Sequence, residues 1–263
     1  MTNHSNRTGL VTGANSGLGF EAAAQLADHG YGRVIVTART DEKAGRAAAD
    51  LRGRTGKDVF ETLVLDNADL STVRDAVDVL TDRGGQIDVL LLNAGVAPTK
   101  ELTRADDGLE LTMASSLTGH HVLTMSLLER GLLSAAARIV IAGSEAARGD
   151  VPMFTPTDLN GFASEHFDGN LEAAIEALMR MEEPADYKPG DTYATAKLFV
   201  AWWAAELADK LPDGMAVNAV SPGSTPDTNA ARSAPFVMKY LMMPVFKLVP
   251  GMSHGIDKGA GRY

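Results

Sequence analysis

Tyr193 and Lys197 stand four residues apart in a stretch with helical spacing, and Ser144 follows an apolar run that reads as a strand. The i, i+4 spacing puts a phenol and an ammonium on one helix face. A positive charge held near a phenol favours the phenolate. Lys197 is therefore expected to lower the Tyr193 pKa from about 10, toward the range where a proton is exchanged at neutral pH. A hydroxyl at Ser144 can donate to an alkoxide developing on a substrate carbonyl, as the donors of an oxyanion site do. Three such groups suit proton exchange at an oxygen while a hydride moves at the adjacent carbon.

Positioning them requires a frame. Short β-branched runs at Thr8 to Thr12, Arg33 to Ala38, Val59 to Leu65, Asp88 to Asn93, Arg138 to Gly143 and Met215 to Val220 read as strands. Between them Leu18 to His29, Asp41 to Leu51, Ser71 to Arg83, Asp107 to Ser134 (broken near Gly119) and Tyr193 to Leu211 read as helices. Near-continuous apolar strands joined by helices indicate a parallel sheet covered on both faces, an α/β doubly wound (Rossmann) fold in a single domain spanning residues 1–263. Two segments break the alternation. Residues 145–192 form an insertion before the Tyr/Lys helix, in which Asn170 can cap a helix whose Leu171, Ala174, Ile175, Leu178 and Met181 share a face. Residues 230–252 are rich in Met, Phe, Leu and Val and interrupted by Pro235, Pro244 and Pro250, which suggests a broken helical flap over a substrate.

Strand one runs into the turn Thr12-Gly13-Ala14-Asn15-Ser16-Gly17-Leu18-Gly19, followed at once by a helix. That context lets a pyrophosphate approach backbone N–H groups at a helix N-terminus, so Gly13, Asn15, Ser16, Gly17, Leu18 and Gly19 are candidate dinucleotide contacts. At the end of strand two an acidic residue would bind the ribose 2′-hydroxyl of NAD, whereas arginine accommodates a 2′-phosphate. The residues here are Ala38-Arg39-Thr40, with Asp41 read as the helix cap, so NADP(H) is favoured over NAD(H). Asp66 and Asn67 close strand three, where Asp66 either accepts from an adenine amino group or caps a turn. Asn93, Ala94 and Gly95 close strand four with small residues that let a cofactor approach. Pro222, Gly223 and Thr225 follow strand six, beside the nicotinamide or as an ordinary turn.

The chain has 263 residues and no cysteine, which excludes disulfides, thiolate chemistry and cysteine-ligated metals. Its net charge of -10 argues against nucleic-acid binding. Residues 1–57 carry eight basic against five acidic side chains, whereas 145–192 carry three against eleven. The glycine turn thus lies in the section suited to a phosphate-bearing ligand. No run approaches the roughly 20 apolar residues of a membrane span, and the start is polar, so a soluble cytoplasmic protein is expected.

Taken together, Thr12 to Gly19, Asn93 to Gly95, Ser144, Tyr193-x-x-x-Lys197 and Pro222-Gly223 resemble the motifs of the short-chain dehydrogenase/reductase family, over about Thr8 to Gly223. The stretch from Gly13 to Arg39 looks like the retinol dehydrogenase and protochlorophyllide reductase subgroup, and the long separation of Ser144 and Tyr193 resembles carbonyl reductases. The resemblance implies hydride transfer between nicotinamide C4 and a carbonyl or alcohol carbon. Tyr193 would exchange the proton, Ser144 orient the carbonyl, and Lys197 hold the nicotinamide ribose. A family asparagine that supports a water beside the lysine falls, by register with Gly119, on Ser116. Against that resemblance, no glycine-rich final strand of the kind many members have is read before Tyr263, which a truncated or a substrate-specialised end would each account for. Monomer and homo-oligomer both stay open, since the insertion resembles those that cover an association surface.

Other features carry less. His120 and His121 are adjacent on a helix and do not converge on a metal. Glu165 to Asp168 reads as a polar loop, Gly53 to Lys57 as a helix end, and Trp202-Trp203 as packing residues. The Phe236 to Phe246 cluster suits either core packing or a bulky apolar small-molecule substrate. A rival reading from another class is a nucleotide-binding sensor or scaffold without turnover, motivated by Ser116.

Overall fold

The structure is a computed structural model in which residues 4–223 and 255–263 are described. Six strands, β1 (Thr8–Val11), β2 (Arg33–Ala38), β3 (Phe60–Val64), β4 (Ile87–Leu92), β5 (Leu133–Ala142) and β6 (Ala216–Val220), form one sheet in the order β3-β2-β1-β4-β5-β6. Every pairing is parallel, with Gly9 facing both Val34 and Val89. This is the doubly wound fold expected from the alternation of apolar runs and helical patterns. Leu10, Val11, Ile35, Val36, Leu90 and Ile141 are fully or almost fully buried, as parallel strands covered on both faces require.

Helices α1 (Gly17–Asp28) and α2 (Asp41–Thr55) cover one face through Ala23, Ala24, Ala48 and Leu51. Helix α3 (Leu70–Arg83), α5 (Gly119–Glu129) and α8 (Pro189–Lys210) cover the other through Val73, Leu123, Leu127 and Val200. The chain winds outward from β1 to β3 and returns to β4 beside β1. That reversal opens a crevice at the carboxyl ends of β1 and β4, where ligands of such sheets bind.

Several boundaries differ from expectation. The helix predicted over Asp107 to Ser134 is a short α4 (Leu111–Met113), a π turn over Ala114–Thr118, and α5, while Leu133 and Ser134 belong to β5. The expected break near Gly119 is this π turn, which ends at Thr118. Gly119 itself lies so close to the Asn67 carbonyl that any side chain would overlap it. Glu110, buried, starts α4 by accepting from the Thr112 and Met113 amides at 2.8 and 3.0 Å. Thr40, not Asp41, caps α2, and that helix continues to Thr55 before Gly56 ends it at φ 68°. Helix α8 begins at Pro189, one turn before Tyr193.

The insertion is folded onto the body. Helix α6 (Leu159–His166) and α7 (Leu171–Arg180) pack Leu178 and Met181 with Met113, Ala196 and Phe199, between α4 and α8. Asn170 caps α7 as expected, accepting from the Ala173 amide. The expected apolar face is only partly covered, since Ala174, Leu178 and Met181 are buried while Leu171 and Ile175 are exposed. Four contacts tie the arm to the loop after β4: Glu110 N–H to Met179 O, Arg104 to Met181 O, Arg180 to Asp107 O, and the Tyr187 hydroxyl to Thr99 O. A last helix, α9 (Ile256–Ala260), packs on α1, with Ala260 in the core and Gln25 donating to the Asp257 carbonyl. The predicted flap over 230–252 and Thr225 lie outside the described residues. No helix among the described residues is long and apolar enough to cross a membrane.

Candidate active site

The glycine turn is shaped by close approach. Gly13 adopts φ 64°, and a Cβ there would meet the Ala94 Cα at 3.1 Å. At Gly19 a Cβ would come within 2.5 Å of the Asn93 side chain. The turn is held to β2 by Gly13 N–H donating to Thr37 Oγ1 and Ala14 N–H to Thr37 O. Ser16 is the N-cap of α1, yet its side chain makes no cap hydrogen bond. The first N–H groups of α1 are thereby left open to an anion, with exposed Asn15 and half-buried Ser16, Gly17 and Leu18 around them.

The end of β4 is fastened to this turn. Thr12 Oγ1 accepts from the Asn93 and Ala94 amides at 2.8 and 2.9 Å, and Asn93 Nδ2 donates to the Thr12 carbonyl at 3.0 Å. Gly95 is exposed, and a Cβ there would lie 2.9 Å from Ser116 Oγ. Ser116 itself is buried in the π turn, and its hydroxyl has no partner.

Ser144, Tyr193 and Lys197 come together where the carboxyl end of β5 meets the amino-terminal half of α8. Ser144 caps the 3-10 turn Glu145–Arg148, accepting from the Ala146 amide, and its hydroxyl lies beside the Tyr193 phenol. Lys197 is buried, donates to the Ala142 carbonyl at 2.8 Å, and lies 5.7 Å from the centroid of the Tyr193 ring. Burial lowers its pKa from 10.5 to about 8, so it keeps its proton at neutral pH.

The expected depression of the Tyr193 pKa is not found. Burial raises it above 10, and the opposing pull comes from the Ser144 hydroxyl instead of Lys197. In the insertion the Phe154 ring stands edge-on to Tyr193 at 5.9 Å, and Thr155 and Thr157 are pinned to Asp191 and Thr195 at the start of α8. Desolvation favours the neutral phenol over its anion.

The remaining predicted residues are spread around the crevice. Arg39 is exposed at the end of β2 and forms no ion pair among the described residues. Asp66 Oδ1 accepts from the Ala68 amide, the turn-capping geometry. Asn67 is buried and turned inward, donating to the Ser115 carbonyl at 3.3 Å, with its Oδ1 unpartnered. Pro222 and Gly223 follow β6, with Gly223 at φ 77°. The two histidines separate: His120 is buried, and His121 is exposed beside Trp203 at 5.8 Å. Trp202 stays 47% exposed, so only Trp203 meets the packing expectation. No cluster of three metal-ligating side chains occurs among the described residues.

Sequence reasoning missed Phe154, the Ala142 carbonyl and Tyr263. The Tyr263 hydroxyl reaches Asn93 Oδ1 at 3.5 Å, and its pKa is raised by burial and by nearby Tyr193. These partners lie tens of residues away, with no motif to announce them.

Residues 7–156, more than half of the chain, match the family model of the short chain dehydrogenases. A WW domain-containing oxidoreductase of Danio rerio is 32% identical over 252 residues, covering 95% of this chain and 56% of the relative. Retinol dehydrogenase 13 of Homo sapiens is 32% identical over 219 residues, covering 82% of this chain and 58% of the relative. The chain thus spans somewhat more than half the length of these relatives. The crystal structure of a short chain dehydrogenase from Burkholderia cenocepacia J2315 in complex with NADP shares the fold, with a TM-score of 0.68 at 24% identity over 98% of this chain and 88% of that one. A sheet in this order, a glycine turn at its switch point and the matched residues together place the chain in the short chain dehydrogenase family.

Proposed function

We propose that this protein is an NADP(H)-dependent oxidoreductase that interconverts a carbonyl and an alcohol, with residues 1–263 acting as one domain. The observation that carries the reading is the Tyr193 phenol, beside the Ser144 hydroxyl and one helical turn from buried Lys197. These groups share a crevice with the glycine turn. Gly13 and Gly19, where a side chain would collide, and the uncapped start of α1 fit a dinucleotide pyrophosphate. The nicotinamide would supply or accept the hydride. Gly13 to Gly19 and Asn93 to Gly95 would hold the dinucleotide, with Asp66, Asn67, Pro222, Gly223 and Thr225 contributing around it. Arg39, unpaired at the end of β2, would meet a 2′-phosphate, and the NADP in the similar B. cenocepacia structure supports that choice.

In the reductive direction Ser144 donates to the substrate oxygen and aims the carbonyl, and Tyr193 delivers its proton to the same atom. A phenol whose pKa is raised by burial is fully protonated at neutral pH, which suits the donor role. Lys197 keeps its positive charge at neutral pH and can hold the nicotinamide ribose. Ser116, with a buried free hydroxyl, stands ready to take the place of the family asparagine in holding a water. Phe154 against Tyr193 makes an apolar wall, which favours a hydrophobic carbonyl substrate.

The test is NADPH consumption against a panel of ketones and aldehydes, with Tyr193→Phe as the control. The mutant should lose about 100-fold or more in kcat while still binding NADPH. Equal turnover by mutant and wild type would reject the mechanism. Tight binding without turnover of any substrate would support the sensor or scaffold reading, which has no use for a proton donor.

A further inference from the structure

His120 is fully enclosed, 108 positions from the residue its ring meets. Nδ1 lies 3.2 Å from the Ser116 carbonyl in the π turn, and Nε2 lies 3.0 Å from Thr12 Oγ1 at the end of β1. A carbonyl oxygen can only accept, so Nδ1 must carry the ring hydrogen. Burial, with Lys197 nearby adding its positive charge, lowers the His120 pKa to about 3, so the ring is neutral and Nε2 is a bare acceptor.

That fixes the Thr12 hydroxyl. It has one hydrogen and two lone pairs. Both lone pairs are taken by the Asn93 and Ala94 amides, and the hydrogen must choose between Nε2 at 3.0 Å and the Leu91 carbonyl at 3.3 Å. Donation to Leu91 would leave the Nε2 lone pair facing oxygen lone pairs in a dry interior, which is unfavourable. Donation to Nε2 satisfies every atom. The ring therefore links the π turn before α5 to β1, and β1 to the end of β4.

We infer that His120 is a positioning residue: as a neutral Nδ1–H tautomer, it orients the Thr12 hydroxyl and so holds Asn93 and Ala94 at the spacing the dinucleotide crevice requires. It touches no substrate and acts through Thr12. The nucleotide consequence rests on the proposed function, whereas the tautomer and its grip on β4 do not.

Side-chain 15N NMR of the unliganded protein reads the tautomer directly. The expected result is a protonated Nδ1 and an unprotonated Nε2 between about pH 5 and pH 8. A protonated Nε2, or an imidazolium in that window, overturns the inference. Hydrogen exchange then tests the grip without any cofactor. His120→Phe should speed exchange of the Asn93 and Ala94 amides about tenfold, the scale of one neutral hydrogen bond. His120→Gln, whose amide oxygen can reach the position of Nε2, should restore protection, and His120→Asn, which replaces only Nδ1, should not. If all three variants exchange alike while remaining folded by circular dichroism, the inference fails. The NADPH Kd, followed by tryptophan fluorescence, should rise about tenfold in His120→Phe and Thr12→Val, and no further in the double mutant. Additive losses in that pair would overturn the link through Thr12. If wild type binds no dinucleotide, the proposed function falls, and the spectra and exchange rates still decide the role of His120.

Discussion

Replacing Lys197 with Met tests whether a charge is truly held inside the fold. Lys197 has an ordinary pKa of 10.5 and a folded value of about 8, lowered by burial. Below about pH 8 both states are protonated, so burying the charge destabilises the fold by a constant amount. Between the two values the unfolded chain binds a proton that the folded protein has released, and stability rises with pH. Above 10.5 the penalty is gone. At about 1.4 kcal/mol per pH unit, the fall from 10.5 to about 8 corresponds to about 3 kcal/mol, of which about 2 kcal/mol lies between about pH 7.5 and pH 10. Lys197→Met also leaves the Ala142 carbonyl without its donor, a loss of about 1–3 kcal/mol. That loss does not vary with pH, so the difference between variants isolates the titration. Urea denaturation of both proteins at the two pH values should show wild type gaining about 2 kcal/mol relative to the mutant on going to high pH, or about 4–8 °C in Tm. Parallel stability curves would refute a buried, charged lysine.

Arg39→Asp should weaken NADPH binding about 10–100-fold and narrow its margin over NADH, measured as paired Kd values, because one charged hydrogen-bonding partner is lost and a repelling carboxylate is added. An unchanged ratio would remove Arg39 from cofactor choice. Leu178→Ala, at the seam between α7 and α8, should destabilise by about 2–4 kcal/mol in urea, whereas an arm folded independently would leave the main transition untouched. Phe154→Ala should let water reach Tyr193 and lower its pKa, so the rise of oxidative turnover with pH begins at lower pH. It should also raise KM for bulky apolar ketones more than for small aldehydes.

Strand positions were legible because apolar runs such as Val34 to Ala38 and Val89 to Leu92 have no use except between two helical layers. Turn chemistry was legible at Gly13, Gly17 and Gly56, which all adopt positive φ. The π turn was not, because five residues, Ala114 to Thr118, cannot distinguish a wider helical period from the usual one. The sign of the Tyr193 shift was missed for a different reason. An i, i+4 lysine is visible in sequence, but the burial of the phenol, with the Phe154 ring 39 positions upstream against it, is not. The role of His120 was not legible either, since nothing near it in sequence points to Thr12 as its partner.

The fastenings of the inserted arm end on main-chain oxygens at Met179, Met181, Asp107 and Thr99. A carbonyl survives replacement of the side chain beside it, so half of each fastening is indifferent to mutation. The exposed positions of α6 and α7 can therefore drift in charge and shape while the arm keeps its seat, which lets the outer surface diversify without disturbing the chemistry beneath it.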